Sequence, residues 1–301
     1  MSARLKIDPE LTVRRALRDA MAELARAQTP SYALAAELLL MHALGCDRAW
    51  LYSHPEASID GEAVRRFFVL ISQRANGMPT QYLTGKQEFW GLEFEVTPAV
   101  LIPRPETEHV IEVVMERLGA QRRQENLHAA DIGTGSGCIA VALASELCGA
   151  KIVATDISGA ALEVARRNAE RHGVLQRVHF AECDLLSAAA AGGSVFDLIV
   201  SNPPYVARNE EAQLPQDIRE HEPHQALFGG VTGTEIYAQL ITEAAAHLRC
   251  DGLLAMEIGY GALEEIRLML QTAEWREIRV TNDLAGIPRV VSTLRASAAS
   301  L

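Results

Sequence analysis

The tetrapeptide Asn202-Pro203-Pro204-Tyr205 has the residue types needed to make a planar nitrogen react. A carboxamide nitrogen is a poor nucleophile because its lone pair is delocalised into the carbonyl group. Acceptors placed on its N–H groups return electron density to it, and the Asn202 side-chain oxygen and the Pro203 carbonyl oxygen are two such acceptors. Tyr205 can form an apolar wall against a flat amide and favour a cationic group through its ring face. We therefore predict Asn202, Pro203 and Tyr205 as catalytic residues and the whole tetrapeptide, with the rigid Pro204, as substrate-binding.

A glycine-rich loop precedes this motif in the chain and has the form of a cofactor site. Asp131-Ile132-Gly133-Thr134-Gly135-Ser136-Gly137 lies where a predicted strand turns into a predicted helix. Glycines there let the backbone approach a ligand closely, and the helix N-terminus offers free N–H groups. Asp156 ends the next predicted strand, where a carboxylate can accept hydrogen bonds from both ribose hydroxyls. The two features together predict an adenosine-containing ligand at the carboxyl ends of parallel strands.

The spacing of the glycines separates two kinds of adenosine ligand. A dinucleotide fingerprint requires G-x-G-x-x-G, whereas this loop has G-x-G-x-G preceded by Asp131. That spacing resembles the first motif of class I methyltransferases, in which the loop surrounds the methionine and ribose of S-adenosylmethionine (SAM). We therefore predict contacts to SAM from Gly133, Thr134, Gly135, Ser136, Gly137 and Asp156. By the same likeness Asp184 and Leu185, after the third strand, lie where this fold contacts the adenine.

The elements that must position these residues alternate between strand and helix from His128 onwards. AADI, KIVATD, RVHFAEC, FDLIVS and GLLAMEIG are predicted strands, with helical patterns between most of them. Such alternation predicts a largely parallel sheet with helices on both faces. REIRVTND and RVVSTLR follow one another without a helix, which predicts an antiparallel partner at the far end. The fold class is therefore α/β, a class I SAM-dependent methyltransferase fold with a seven-stranded, mostly parallel Rossmann-like sheet and a small N-terminal helical domain.

The chain before this alternating region contains two segments with different sequence patterns. Residues 1–76 contain three helical patterns, the first carried by apolar residues of VRRALRDAMAELAR, and form the predicted helical domain. Residues 77–105 contain an alternating strand pattern between glycines and are predicted as a β-hairpin linker. The predicted methyltransferase domain is 106–301, with Pro105 opening its first helix. Residues 206–234 are predicted as a long loop that contacts the substrate protein.

Composition and charge limit the classes of partner. The net charge of -11 and the pI near 5.3 argue against a protein that grips a phosphate backbone, so no direct nucleic-acid binding is expected. No apolar run approaches the roughly 18–20 residues that span a bilayer, and the N-terminus lacks the apolar core of a signal peptide, so a cytoplasmic location is expected. The five cysteines are scattered. His221 and His224 have no third ligand at a suitable spacing, so no metal is expected.

Two further segments resemble one family closely. GMPTQYLTGKQEFWGLEFEVTPAVLIPRPETE (77–108) and EPHQALFGGVTG (222–233) are similar to segments of the bacterial peptide chain release factor N5-glutamine methyltransferases, the PrmC/HemK-like family. The resemblance implies methyl transfer from SAM to the glutamine of a Gly-Gly-Gln motif, with release factors as partners. It also implies that Asn202 contacts SAM and that Phe89 and the stretch 102–106 lie close to the cofactor. The helical domain would help to dock the release factor. Ala35-Ala36 and Tyr260-Gly261 depart from the family pattern.

Several alternatives stay open at this stage. A ribosomal-protein glutamine methyltransferase would use the same motif. A DNA adenine-N6 methyltransferase would share the chemistry, but it would need a basic groove to hold a flipped base. A non-catalytic SAM-binding factor would have no need to retain Asn202 and Tyr205 for binding an amide. Arg104 and Glu106 are equally compatible with a catalytic role and with a structural ion pair.

Overall fold

A computed structural model of the protein describes residues 11–123, 126–187 and 195–297. The chain divides into two compact units, a helical unit formed by Met1–Gly85 with Pro215–His221, and an α/β unit formed by Lys86–Leu214 with Glu222–Leu301. The helices of the helical unit are α1 (Val13–Arg26), α2 (Tyr32–Leu44), α3 (Arg48–Ser53), α4 (Gly61–Ala75), α5 (Thr80–Thr84) and α9 (Gln216–His221).

The helical unit follows the apolar pattern of its sequence. The helix predicted over VRRALRDAMAELAR coincides with α1, and α2 ends at Gly45, whose φ of 65° is left-handed and therefore suits glycine. The Asp60 carboxylate caps α4 by accepting the backbone N–H groups of Glu62 and Ala63. The side chains that face inwards form one apolar core, whose fully buried members include Leu24, Leu39 and Phe67. This core makes the unit a folded body of its own.

The prediction of a loop over 206–234 is wrong. Two short strands, β7 (Val206–Ala207) and β8 (Phe228–Gly230), pair in parallel, and α9 and α10 (His224–Leu227) lie between them. Within the helical unit, Asp217 of α9 lies 3.5 Å from the guanidinium of Arg74, whose side chain is almost entirely buried. Arg74 also donates to the carbonyl oxygens of Gly77 and Met78. The segment escaped prediction because its elements are too short to show a period.

A seven-stranded sheet forms the centre of the α/β unit. Its strands are β3 (His128–Ile132), β4 (Lys151–Asp156), β5 (Val178–Glu182), β6 (Phe196–Ser201), β9 (Leu248–Glu257), β10 (Trp275–Asn282) and β11 (Pro288–Arg295). They lie in the order β10-β11-β9-β6-β3-β4-β5. The five strands from β9 to β5 are parallel, and β11 runs antiparallel to both β9 and β10, as the closing pair of strand patterns predicted. The predicted fold class is confirmed.

Helices cover the sheet, and alternate strand residues face two separate apolar cores. Ala129 packs in one core and Ala130 in the other, because successive side chains of a strand point to opposite faces. The first core takes residues from three helices and the second from two. These helices are α6 (Glu108–Leu118), α7 (Cys138–Glu146) and α8 (Gly159–Arg171), then α11 (Glu235–His247) and α12 (Leu263–Leu270).

A hairpin precedes the sheet and is fastened to the glycine-rich loop by one buried amide. Its strands β1 (Lys86–Phe89) and β2 (Leu92–Glu95) are antiparallel. The side chain of Asn168, on α8, is fully buried. Its amide nitrogen donates to the carbonyl oxygens of Glu95 and Ser136 at 3.0 and 2.9 Å, and its oxygen accepts the N–H of Glu95 at 2.7 Å. One side chain therefore holds the hairpin and the loop to the same helix.

Replacing Asn168 with aspartate tests this connection. An Asn168→Asp side chain has the same shape but places an oxygen against the carbonyl oxygens of Glu95 and Ser136. We expect the free energy of unfolding to fall by about 2–4 kcal/mol, because buried acceptors lose their donors. Urea unfolding measures the change. Asn282→Asp, at an exposed position of β10, is the control and should change stability by less than about 0.5 kcal/mol; equal losses in the two variants would contradict the assignment.

Candidate active site

The carboxyl ends of the parallel strands surround a cavity of about 320 Å³ in the α/β unit. The glycine-rich loop after β3, the end of β4, the segment after β5 and the tetrapeptide after β6 all contribute to its wall. Ligands of open α/β sheets bind at this edge, where the loops from neighbouring strands converge. The predicted residues that line the cavity are Gly133, Thr134, Gly135, Ser136, Asp156, Asp184, Leu185, Asn202, Pro203 and Pro204.

Two glycines of the loop leave open space where a side chain would stand. Gly133 and Gly135 have φ angles of 70° and 55°, and no other atom lies within 4 Å of a Cβ built on either residue. Gly137 differs, because a Cβ there would lie 3.0 Å from the Cβ of Ala165 on α8. Gly133 and Gly135 therefore let the backbone form the cavity wall, whereas Gly137 permits helix packing and does not line the cavity.

The Asp156 carboxylate is held by the backbone at the cavity wall. One oxygen accepts the N–H of Gly135 and the other accepts the N–H of Ser158, both at 2.9 Å. Burial raises the pKa of Asp156, and these backbone hydrogen bonds act in the opposite direction. Since each carboxylate oxygen has a second lone pair, the group can still accept hydrogen bonds from a vicinal diol.

A second carboxyl group, that of Asp131, supports the loop from the interior. One of its oxygens accepts the hydroxyl of Thr134 at 2.7 Å and the N–H of Ala140 at 3.1 Å. Complete burial raises the pKa of Asp131 to about 7. Its other oxygen and the Ser136 hydroxyl, which belongs to a cavity-lining residue, have no hydrogen-bond partner among the described residues. The loop therefore contains buried polar atoms with unused hydrogen-bonding capacity.

The tetrapeptide begins immediately after β6, beside the end of β3. Ser201 is paired in register with Ile132, and its hydroxyl donates to the Ile132 carbonyl oxygen at 2.7 Å. The next side chain, that of Asn202, donates its amide N–H to the Thr107 hydroxyl oxygen at 3.0 Å. No donor within the described part of the chain reaches the Asn202 amide oxygen. Asn202 therefore offers an acceptor beside the loop that carries the glycines.

Tyr205 occupies a different position from the first three residues of its motif. Its hydroxyl donates to the Glu257 carboxylate at 3.3 Å, and its ring lies so close to Gly259 that a Cβ there would stand 2.8 Å from the ring. Burial and the neighbouring Glu257 charge raise the pKa of Tyr205. Because Tyr205 is absent from the residues that line the cavity, the predicted apolar wall for the amide gains no support from this geometry.

Comparison with known proteins gives consistent matches over most of the chain. A PrmC N-terminal domain matches residues 15–85, and a methyltransferase small domain matches residues 109–225. The release factor glutamine methyltransferase of Koribacter versatilis is 45% identical over 281 residues, which are 93% of this chain and 98% of that protein. The protein of the same name from Chlorobaculum tepidum is 42% identical over 265 residues, 87% and 90% of the two chains. The chain belongs to the release factor glutamine methyltransferase family.

A solved structure shows the same fold at low sequence identity. The N-terminal domain of human METTL16 in complex with SAH has a TM-score of 0.51 and 19% identity, over 68% of this chain and 76% of that one. Together with the family, this fold makes the protein a methyltransferase enzyme. No helix in the described ranges is long and apolar enough to cross a membrane. Across residues 11–123, 126–187 and 195–297 there is also no group of three metal-binding side chains.

The family resemblance implied that Phe89 and the stretch containing Arg104 lie close to the cofactor. Of these, only the stretch containing Arg104 lines the cavity. Phe89 is buried in the first core, in edge contact with Phe94, and it does not line the cavity. Arg104 does line the cavity, but its guanidinium pairs with the buried carboxylate of Glu222 at 2.5 Å. Glu222 also accepts the N–H of Ile102 at 3.3 Å. The ion pair that the sequence left open is therefore made with a residue far along the chain.

Thr107 and Glu257 are polar residues of this site that the sequence analysis did not single out. Thr107 lines the cavity from the short 3₁₀ helix Pro105–Thr107, which precedes α6. Glu257 is the last residue of β9 and is only 1% exposed. One signal was present, since a single carboxylate interrupts the apolar run LLAMEIG. A charged residue in a buried strand needs a polar partner, which marks it as part of a polar network.

The raised pKa of Asp131 gives a prediction for stability against pH. The folded protein keeps the Asp131 proton up to about pH 7, whereas the unfolded chain loses it near 3.8. Between these values the folded state binds the extra proton, so the free energy of unfolding falls as pH rises, by up to about 1.4 kcal/mol per pH unit. Asp131→Asn keeps an acceptor for Thr134 and Ala140 but has no proton to lose.

Urea unfolding at a series of pH values measures this effect. The slope of stability against pH between about pH 5 and about pH 7 should be shallower in Asp131→Asn than in the wild type. Burial raises the pKa of Asp156 and Glu257 as well, so the variant retains some dependence of the same sign. Equal slopes in the two proteins would show that Asp131 is ionised throughout this range.

Proposed function

We propose that the protein transfers the methyl group of SAM to the side-chain amide nitrogen, N5, of the glutamine in the Gly-Gly-Gln motif of peptide chain release factors. One observation carries the proposal: the glycine-rich loop and Asn202 line the same cavity, and the Asn202 amide nitrogen is already engaged by Thr107. A free amide oxygen thus stands beside a site of the form that binds adenosine ligands. The relatives named for glutamine methylation supply the substrate class.

SAM fits the residues at the cavity by charge and by shape. Asp156 retains acceptor capacity for the two ribose hydroxyls, and Ile157, which is 61% exposed and lines the cavity, offers an apolar surface to the adenine. The open space at Gly133 and Gly135 admits the methionine portion of SAM. Asp184 and Leu185 line the same cavity and would complete the adenine site.

The chemistry requires the protein to orient a weak nucleophile. Bound SAM supplies an electrophilic methyl group on a sulfonium sulfur. In the transfer the S–CH3 bond would break as the N–CH3 bond forms, S-adenosylhomocysteine would be left, and the amide nitrogen would release its surplus proton to water. Asn202 and the Pro203 carbonyl accept the N–H groups of the glutamine and hold its nitrogen in line with the methyl carbon. These hydrogen bonds strengthen as charge moves off the nitrogen, so orientation and electrostatics suffice without a strong general base.

The parts outside the cavity are proposed to recognise the release factor. The helical domain, 1–76, would dock the protein substrate, and the linker 77–105 would connect it to the methyltransferase domain 106–301. The segment 206–234 would contact the substrate directly, and some of its residues line the cavity, namely Pro223, Gln225, Ala226 and Phe228. A cytoplasmic location follows from release factors as substrates, because translation ends there.

Ribosomal-protein glutamine methylation is the nearest alternative, since the same cavity would accept that amide. An exocyclic amine of a nucleic acid is a second alternative, which the net charge of -11 disfavours. Incubation of the purified protein with labelled SAM and a release factor, a ribosomal protein or a DNA duplex separates them. Mass spectrometry should place a single added methyl group on the Gly-Gly-Gln glutamine. A Gln→Asn substitution in that motif of the release factor is the matched control and should abolish labelling.

Asn202→Ala separates catalysis from cofactor binding. The variant removes the amide acceptor, so we expect the rate of methyl transfer to fall by about 10²–10³-fold, the range for loss of one preorganised hydrogen-bonding group. SAM should still bind measurably, as followed by calorimetry. Asn282→Ala, in β10, provides a control for asparagine removal at an exposed site. Transfer at a near wild-type rate in Asn202→Ala would show that the acceptor site is wrong.

Asp156→Asn tests the cofactor site independently of the protein substrate. Both carboxylate oxygens accept backbone N–H groups, so an amide NH2 must face one of those donors. The dissociation constant for SAM should rise by about 10–100-fold, corresponding to one or two lost hydrogen bonds to a charged group. Calorimetric titration with SAM measures the change. Glu163→Gln, on the exposed side of α8, should leave SAM affinity as in the wild type; unchanged affinity in Asp156→Asn would remove this carboxylate from the site.

A further inference from the structure

Glu257 is a buried carboxylate that makes no ion pair among the described residues. The neighbouring residues Ala255, Met256 and Ile258 are fully buried and apolar. The two hydrogen bonds recorded for its side chain come from neutral hydroxyl groups, those of Thr107 at 2.5 Å and Tyr205 at 3.3 Å. The nearby Arg289 is bonded instead to Asp283, at 2.9 Å. Burying a carboxylate without an ion pair costs stability, so its presence in this apolar strand points to a role in the site.

Hydrogen-bond polarity connects this carboxylate to Asn202. An ionised carboxylate can only accept, so the single proton of the Thr107 hydroxyl must be donated to Glu257. The separation of 2.5 Å is typical of a hydroxyl bonded to a charged oxygen. The Thr107 oxygen can then only accept from Asn202, which must therefore present its NH2 group to Thr107. The Asn202 amide oxygen is consequently directed away from Thr107.

We propose that Glu257, acting through Thr107, is a positioning residue that fixes which end of the Asn202 amide faces the substrate glutamine. The inference rests on the proposed function, because it assigns the reason that Asn202 acts as an acceptor. An asparagine amide has nearly the same shape in its two flipped orientations, and only its hydrogen bonds distinguish them. In the flipped orientation its NH2 would oppose the NH2 of the glutamine, and the nucleophile would lose its acceptor.

The same carboxylate reaches the other end of the motif. Its second oxygen accepts the Tyr205 hydroxyl, so Asn202 and Tyr205 are both bonded, directly or through one residue, to Glu257. The backbone around Glu257 is fixed as well, since its carbonyl oxygen accepts the Tyr237 hydroxyl and that hydroxyl accepts the N–H of Gly259. Burial, the largest cause, raises the pKa of Glu257, and the hydroxyls of Thr107 and Tyr205 and the Arg289 charge act in the opposite direction.

Thr107→Val and Thr107→Ser form a matched pair for this proposal. Valine keeps the shape of threonine but can neither donate to Glu257 nor accept from Asn202, whereas serine keeps the hydroxyl. We expect kcat for release-factor methylation to fall at least tenfold in Thr107→Val and to stay within threefold of the wild type in Thr107→Ser. Calorimetry should give a dissociation constant for SAM within about threefold of the wild type in both. Wild-type kcat in Thr107→Val would overturn the proposal.

A double-variant cycle distinguishes positioning from general damage to the fold. If Thr107 acts through Asn202, then Thr107→Val should have no further effect on kcat in an Asn202→Ala background. A similar relative loss of kcat in both backgrounds would overturn the proposed action of Thr107 through Asn202 and assign Thr107 a structural role. Glu257→Gln should reproduce the loss seen in Thr107→Val, because a carboxamide of the same size can donate to Thr107 and reverse the polarity.

An NMR measurement tests the orientation without any protein substrate. The Asn202 side-chain NH2 signals are identified by their absence in Asn202→Ala, and their hydrogen exchange is compared between wild type and Thr107→Val. Donation to Thr107 should slow exchange of one of the two protons, and Thr107→Val should speed it at least tenfold. Unchanged exchange would overturn the proposal. This measurement does not depend on methylation. It therefore distinguishes an error in the proposed role of Glu257 and Thr107 from an error in the proposed substrate.

Discussion

The pairing of β3 with β6 is the constraint on which the site depends. Ile132 and Ser201 are partners at the ends of these parallel strands, and the Ser201 hydroxyl donates to the Ile132 carbonyl oxygen at 2.7 Å. The residues that follow each strand must therefore emerge side by side, one turning into the glycine-rich loop and the other into the acceptor motif. A slip of one residue would reverse the faces of every side chain on the strand and separate the two halves of the chemistry.

Carboxyl groups at or near the ends of strands organise this edge by accepting hydrogen bonds from neutral donors. Asp131 and Asp156 bind one hydroxyl and backbone N–H groups of the glycine-rich loop and of the helix after it, and Glu257 binds two hydroxyls beside the acceptor motif. Dipoles of the protein thus replace the water that each carboxyl group would otherwise bind.

The sequence was sufficient for the parts of the site that follow directly from a strand end. FDLIVS and KIVATD coincide with β6 and β4, and the residues after them reach the cavity as predicted from the carboxyl-end rule. These features could be predicted because each depends on a short stretch of sequence: the glycine-rich loop, Asp156 at the end of its strand, and the rigid Pro203-Pro204 pair. Gly137 shows the limit of such reasoning, because a glycine of the same loop serves contact with Ala165 and not the cavity.

The remaining parts depend on contacts between distant segments, which no local pattern records. Thr107 and Glu257 are joined by a hydrogen bond across 150 residues of sequence, and Arg104 pairs with Glu222 across 118. The first contact depends on the sheet order, which sets β9 beside β6. The cavity-lining residues that directly follow strand ends are visible in the sequence. The residues that hydrogen-bond to them lie in distant segments of the chain. In the sequence, a single carboxylate in an apolar strand, such as Glu257, is a sign of such a residue.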